Sequence, residues 1–175
     1  MHEMKIICFS ALALIAGLAN AAEPFGGEED VKYAMNLWTS MVKESYVGAG
    51  ALKSRPYTGQ HPHGTILDTI EGPININGES HNIIIKRNYG GPGVNKDAVA
   101  NDPAKYLSAV TVMLKRPGYD PENKDWFWVK YKKNGELDTN PKGIKLAGKV
   151  AKGKPVGCIA CHIAAPGGDM VFIHN

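Results

Sequence analysis

Cys158-Ile159-Ala160-Cys161-His162, close to the C-terminus, is the stretch whose residue types and spacing carry the most chemistry. Two thiols three positions apart can add across the two vinyl groups of a haem, and a histidine directly after the second can bind the iron. The expectation is a covalently attached c-type haem (haem c), one per chain, held by Cys158, Cys161 and His162, with His162 on the metal. The other chemistries open to a Cys-x-x-Cys pair are a thioredoxin-like redox couple and half of a zinc site. A zinc site would want a second ligand pair, and only His174 lies nearby. A redox pair usually opens a helix after a strand in a βαβ unit, and no such context is visible.

Positioning this motif falls to a chain of 175 residues that opens with an export signature. Met1 to Lys5 is charged, Ile6 to Leu18 is apolar, and Ala19-Asn20-Ala21-Ala22 supplies the small residues read by a signal peptidase. Residues 1–22 are therefore expected to be a signal peptide cleaved near Ala21 or Ala22, too short to remain as a membrane span. Cleavage removes Cys8 and leaves both remaining cysteines in the motif, so a disulfide framework is not expected. Export together with covalent haem points to a periplasmic protein. Residues 23–175 are the size of one domain with one core. The net charge of +3 is too mild to call for nucleic acid. Lys130, Lys132, Lys133, Lys142, Lys145, Lys149, Lys152 and Lys154 gather in the C-terminal third. They form either a docking face for an acidic redox partner protein or an ordinary solvated surface.

The apolar residues Val31, Ala34, Met35, Leu37, Trp38, Met41 and Val42 recur at helical spacing behind Glu28, Glu29 and Asp30, which predicts an N-terminal helix of about four turns. Its Met35 and Met41 are expected to pack rather than ligate. Ala51 to His63 reads as a loop, and Pro62 between His61 and His63 argues for an exposed turn and against a second metal site. Strands are expected over Thr65–Ile70, His81–Tyr89, Val110–Lys115 and Asp125–Tyr131, with Gly72-Pro73 and Asn77-Gly78 as breaks after the first. Asp102-Pro103 suits a helix start, while Gly90 to Gly93 is a turn without the spacing of a phosphate loop. In the fourth strand Trp126, Trp128 and Lys130 share one side and Phe127, Val129 and Tyr131 the other, so either aromatic face could wall a haem. Asp169 to Ile173 reads as a closing strand. That strand would contain Met170, the one methionine downstream of the motif, and Met113 is an upstream alternative as an iron ligand.

Taken in order, the export signal, the N-terminal helix, Gly64-Thr65-Ile66-Leu67, Met113-Leu114-Lys115, Asp125-Trp126-Phe127-Trp128, the Cys158–His162 motif and Asp169-Met170-Val171-Phe172 resemble the cytochrome P-460 family, which includes the cytochromes c′-beta. The likeness spans most of the mature chain. It implies an α+β fold, mainly an antiparallel β-sheet with an N-terminal helix and a C-terminal haem-binding segment, assembled as a homodimer. It also implies a high-spin haem on His162 with the opposite side open to a small diatomic or nitrogen-oxide ligand such as nitric oxide. The hydroxylamine-oxidising members carry a lysine cross-linked to the haem ring, on the strand beginning Gly-Thr-Val-Leu, and the matching position here is Thr69. Lys86 or Lys115 on neighbouring strands could stand in for it. Three functions follow: a periplasmic haem protein that binds nitric oxide or transfers electrons, an oxidoreductase acting on hydroxylamine or nitric oxide, and a six-coordinate electron carrier.

Overall fold

The computed structural model describes residues 23–174, and the expected signal peptide lies outside the described residues. Helix α1 (Glu28–Lys43) starts without a side-chain cap but with three acidic residues in its first turn and Lys43 in its last, both matching the helix dipole. It buries Ala34, Leu37 and Met41, but Met35 and Val42, expected on the packed stripe, are exposed, because they lie off the face that meets the sheet. The six strands that follow are β1 (Tyr57–Thr58), β2 (Ile66–Ile76), β3 (Glu79–Tyr89), β4 (Leu107–Lys115), β5 (Trp126–Lys132) and β6 (Ala147–Gly148). They pair in chain order as one antiparallel sheet. Short helices α2 (Lys96–Asn101) and α3 (Pro103–Tyr106) connect β3 to β4, and α4 (Cys158–His162) holds the cysteine motif. The architecture is α+β, a dominant antiparallel sheet with an N-terminal helix.

Strand alternation divides the core into two layers. Ile83, Ile85, Val110, Val112, Leu114, Phe127, Val129 and Tyr131 point toward α1. Ile84, Met113, Trp126 and Trp128 point the opposite way and pack with Val150, Ile159, Met170 and Val171 of the C-terminal segment. Each such fully buried large side chain contributes ~1.5–3 kcal/mol relative to exposure. The sheet is therefore a partition: α1, with Met41, lies on one side and the cysteine motif on the other. Tyr131 ties the helix layer down by donating its hydroxyl to the Ala34 carbonyl at 2.7 Å.

Two expected boundaries differ. Gly72-Pro73 does not break β2, which runs on to Ile76 and turns at Asn77-Gly78. Beyond Leu67 no strand of the described residues pairs with β2 on its β1 side, where the Pro73 carbonyl instead accepts from the Tyr46 hydroxyl, so the missing proline N–H costs no ladder bond. Asp169 to Ile173 is not a closing strand. Pro166–Gly168 and Phe172–His174 are 3-10 turns, Met170 has a left-handed φ of 68°, and the Asp169 carboxylate accepts from the Val171 N–H. The edge of β5 that such a strand would have taken is occupied by β6.

Candidate haem site

The cysteine motif forms a single helical turn. Gly157 enters it at φ 122°, and a Cβ there would stand 2.4 Å from the Ala151 Cβ, so glycine is what allows the chain to turn into α4 against residue 151. Ile159 is buried in the β5-side core and its N–H donates to the Val150 carbonyl. That anchor leaves Cys158, Cys161 and His162, at i, i+3 and i+4, on one side of the turn. Both cysteines are free thiols, Cys161 exposed and Cys158 partly buried. Burial pushes the Cys158 thiol up to about 11. A redox-active dithiol needs the opposite, a thiol made acidic at its helix N-terminus. The turn is also not preceded by a strand of a βαβ unit.

His162 is 9 % exposed and its ring is enclosed by aromatic edges, Trp128 at 4.8 Å and Phe172 at 5.3 Å between ring centroids. Its Nδ1 lies 2.8 Å from the Met170 carbonyl oxygen. A carbonyl can only accept, so Nδ1 carries the hydrogen and the Nε2 lone pair is left available. Burial lowers the His162 pKa and favours this neutral form. The neighbouring Trp126 Nε1–H donates to the Asp169 carbonyl at 2.8 Å, so two successive carbonyls of the C-terminal segment are held, one by β5 and one by the imidazole. Such a backbone-oriented imidazole is the usual second-layer support of a metal-ligating histidine.

Four residues in register, Thr69, Lys86, Thr111 and Lys130, cross β2 to β5 on this face of the sheet. Thr69 shares a 2.7 Å hydrogen bond with the Tyr57 hydroxyl. Lys130 is paired with Asp138 at 3.0 Å. The Lys86 ammonium is held below the usual lysine range by burial and interacts electrostatically with the Cys161 thiol and the His162 ring. Lys115 is directed elsewhere, over the Trp126 ring and onto the Lys124 carbonyl. Of the two lysines considered from sequence, Lys86 is the one at the motif.

His63 is the residue that sequence reasoning misplaced. His61 and Pro62 are exposed as expected, but His63 turns inward, with its ring centroid 6.4 Å from that of His162. Gly64 makes this possible: a Cβ there would stand 2.6 Å from the Tyr89 carbonyl oxygen, so only glycine lets the chain lie against β3. The Asn88 amide then receives the pair. Its Nδ2 donates to the Lys86 carbonyl at 2.9 Å, which fixes Oδ1 toward the Gly64 N–H and the His63 Nδ1. His63 must therefore donate through Nδ1, and burial, with the Lys86 charge adding to it, depresses its pKa to about 4.

Among the described residues no group of three or more His, Cys, Asp or Glu side chains is gathered as a bare metal ion would require. A porphyrin makes a smaller demand, since it brings its own equatorial nitrogens and asks the chain only for axial donors and thiols. The donor set fits that demand: two free thiols, a neutral imidazole with Nε2 available, and aromatic walls. The Trp128 indole N–H, buried beside His162, has no hydrogen-bond partner among the described residues. A buried donor left in this way calls for a group outside the chain's own atoms. Met41 belongs to the helix-side core across the sheet, whereas Met113 and Met170 pack in the core beneath the motif. No family model, no curated protein and no solved structure matches the chain.

Proposed function

We propose that this chain is an exported, periplasmic mono-haem c-type cytochrome of the cytochrome P-460 and c′-beta type, working through electron transfer and the binding of small nitrogen-oxide ligands such as nitric oxide. In this reading Cys158 and Cys161 carry the haem and His162 is the proximal axial ligand. The observation that carries it is the His162 Nδ1 bond to the Met170 carbonyl, which leaves Nε2 as a neutral donor directly beside two free thiols. Attachment needs no external oxidant. Each S–H adds across one vinyl double bond, forming a C–S bond while the thiol hydrogen goes to the other vinyl carbon. Haem, when bound, supplies a one-electron couple and a coordination position opposite His162. The chain's own part is to orient the imidazole through Met170, to shield it from water with the buried Trp128, and to leave lysines on the surface for an acidic partner.

The test is to make the mature chain in a host that matures c-type cytochromes. The expected product stays coloured on a denaturing gel and gives a thioether-linked haemochrome spectrum. Cys158→Ser with Cys161→Ser should abolish the stain, and a colourless wild type sinks the proposal.

Lys86 favours a second reading, an oxidoreductase acting on hydroxylamine or nitric oxide. It is a partly buried lysine beside the motif, one strand over from Thr69 and directly opposite it. That reading requires turnover of hydroxylamine with an artificial electron acceptor, and a digested haem peptide carrying a third attachment. Two thioethers alone and no turnover would remove it.

A further inference from the structure

We propose that His63 is the second axial ligand of the haem iron, opposite His162, so that the resting protein is six-coordinate and an external ligand must displace His63. This inference rests on the haem reading above and deepens it, because it replaces an open face with one that a residue of this chain closes.

The first support is distance. Two imidazoles on one iron, each with a metal–nitrogen bond of ~2 Å, place their ring centroids roughly 6 Å apart once the ring radii are added. His63 and His162 stand at 6.4 Å, with ring planes at 88°. Imidazoles lying on a common axis can take any dihedral about it, so the perpendicular planes are compatible with joint ligation. A distal histidine that only hydrogen-bonds to a bound ligand must stand back by the length of that ligand, which this separation does not allow.

The second support is tautomer. Both rings spend Nδ1–H on a carbonyl-type oxygen, Met170 for His162 and the Asn88 amide for His63. Both therefore keep Nε2 as the lone-pair nitrogen, the form an axial imidazole must have. The Asn88 orientation is determined by the Lys86 carbonyl and the Gly64 N–H, so it does not depend on the histidine itself.

The third support is that His63 is built into place. Gly64 packs backbone to backbone on Tyr89, and Asn88 lies at the irregularity in the β3–β4 register, where Ser108 holds its carbonyl at 2.8 Å. His61, two residues earlier on the exposed side of the turn, serves as the internal control.

The experiment is near-infrared magnetic circular dichroism and electron paramagnetic resonance of the ferric holoprotein, with carbon monoxide binding followed in the ferrous form. The expected wild type is low-spin, with the charge-transfer band of paired imidazoles and a carbon monoxide rate that saturates as ligand displacement becomes limiting. His63→Ala should lose the low-spin signals in favour of high-spin ones and bind carbon monoxide without saturation, while His61→Ala changes neither. A high-spin wild type overturns the inference, as does a low-spin band characteristic of an amine or thioether ligand, which would implicate Lys86 or a methionine. Either result leaves the haem reading standing. The wild-type spectrum decides the matter even if His63→Ala does not fold. A chain that carries no haem overturns the haem reading and this inference together.

Discussion

His162 donates through Nδ1 to the carbonyl oxygen of Met170, eight residues further on, at 2.8 Å. The methionine thus serves the site with its backbone, while its side chain is buried among Trp126, Trp128 and Ile159. Met170→Ala should accordingly destabilise the protein by about 2–4 kcal/mol through the cavity it leaves. If the chain carries the proposed haem, its spectrum should not change, because the carbonyl stays. Denaturant unfolding read beside the visible spectrum checks both, and loss of a sulfur–iron band would mean that the thioether ligates after all.

Gly64 lies against Tyr89 closely enough that any Cβ must push the backbone away. Gly64→Ala should cost roughly 1–3 kcal/mol as an overpacked contact. It should also withdraw His63 from Asn88. The variant is expected to reproduce the spectral change of His63→Ala with the histidine still present, whereas a merely destabilised protein would retain the wild-type spectrum at low temperature.

On the α1-facing side of the sheet, Asp68 accepts from Arg87 Nε at 2.7 Å, from Arg87 Nη2 at 2.9 Å and from the Tyr89 hydroxyl at 2.9 Å, with all three residues buried. Removing one partner of a buried pair leaves the other charge uncompensated. Asp68→Asn should lower unfolding free energy by about 3–5 kcal/mol, measured in urea. Replacing the pair together by apolar residues of similar volume should restore much of the loss.

Burial by itself would raise the Asp138 carboxyl, but the Lys130 ammonium at 3.0 Å and the Thr139 N–H outweigh it and hold the group below the usual carboxylate range. A carboxyl depressed on folding contributes stability that is present above its unfolded value near pH 4 and is lost as pH falls through the folded one. Asp138→Asn should flatten that acid limb by up to ~1 kcal/mol, since the pair is partly solvated. Chemical denaturation between pH 3 and pH 6 gives the comparison.

The sequence by itself determined the helix, the four long strands and the motif. A 3.6-residue apolar period, β-branched runs and a Cys-x-x-Cys-His spacing are local patterns that need no knowledge of what lies across the sheet. It also determined the two faces of β5, since Trp126, Trp128 and Lys130 alternate with Phe127, Val129 and Tyr131 whatever packs on them. Continuity of β2 through Pro73 was not legible, because it turns on an unpaired edge. The segment around Met170 was misread for a related reason. Its apolar residues suit a strand, but Gly167, Gly168 and the left-handed Met170 take it into turns, and the β5 edge is paired with β6.

Only the tertiary structure decided the place of His63. Locally, Pro62 between two histidines describes an exposed turn, and His61 obeys that description. What brings His63 inward is the approach of Gly64 to Tyr89 and the hydrogen bond to Asn88, contacts between residues 24 or 25 apart in the chain. The 98 residues between His63 and His162 carry no sign of their meeting, because that distance is set by the pairing of the strands between them and by the folding of the C-terminal segment onto Trp126 and Trp128.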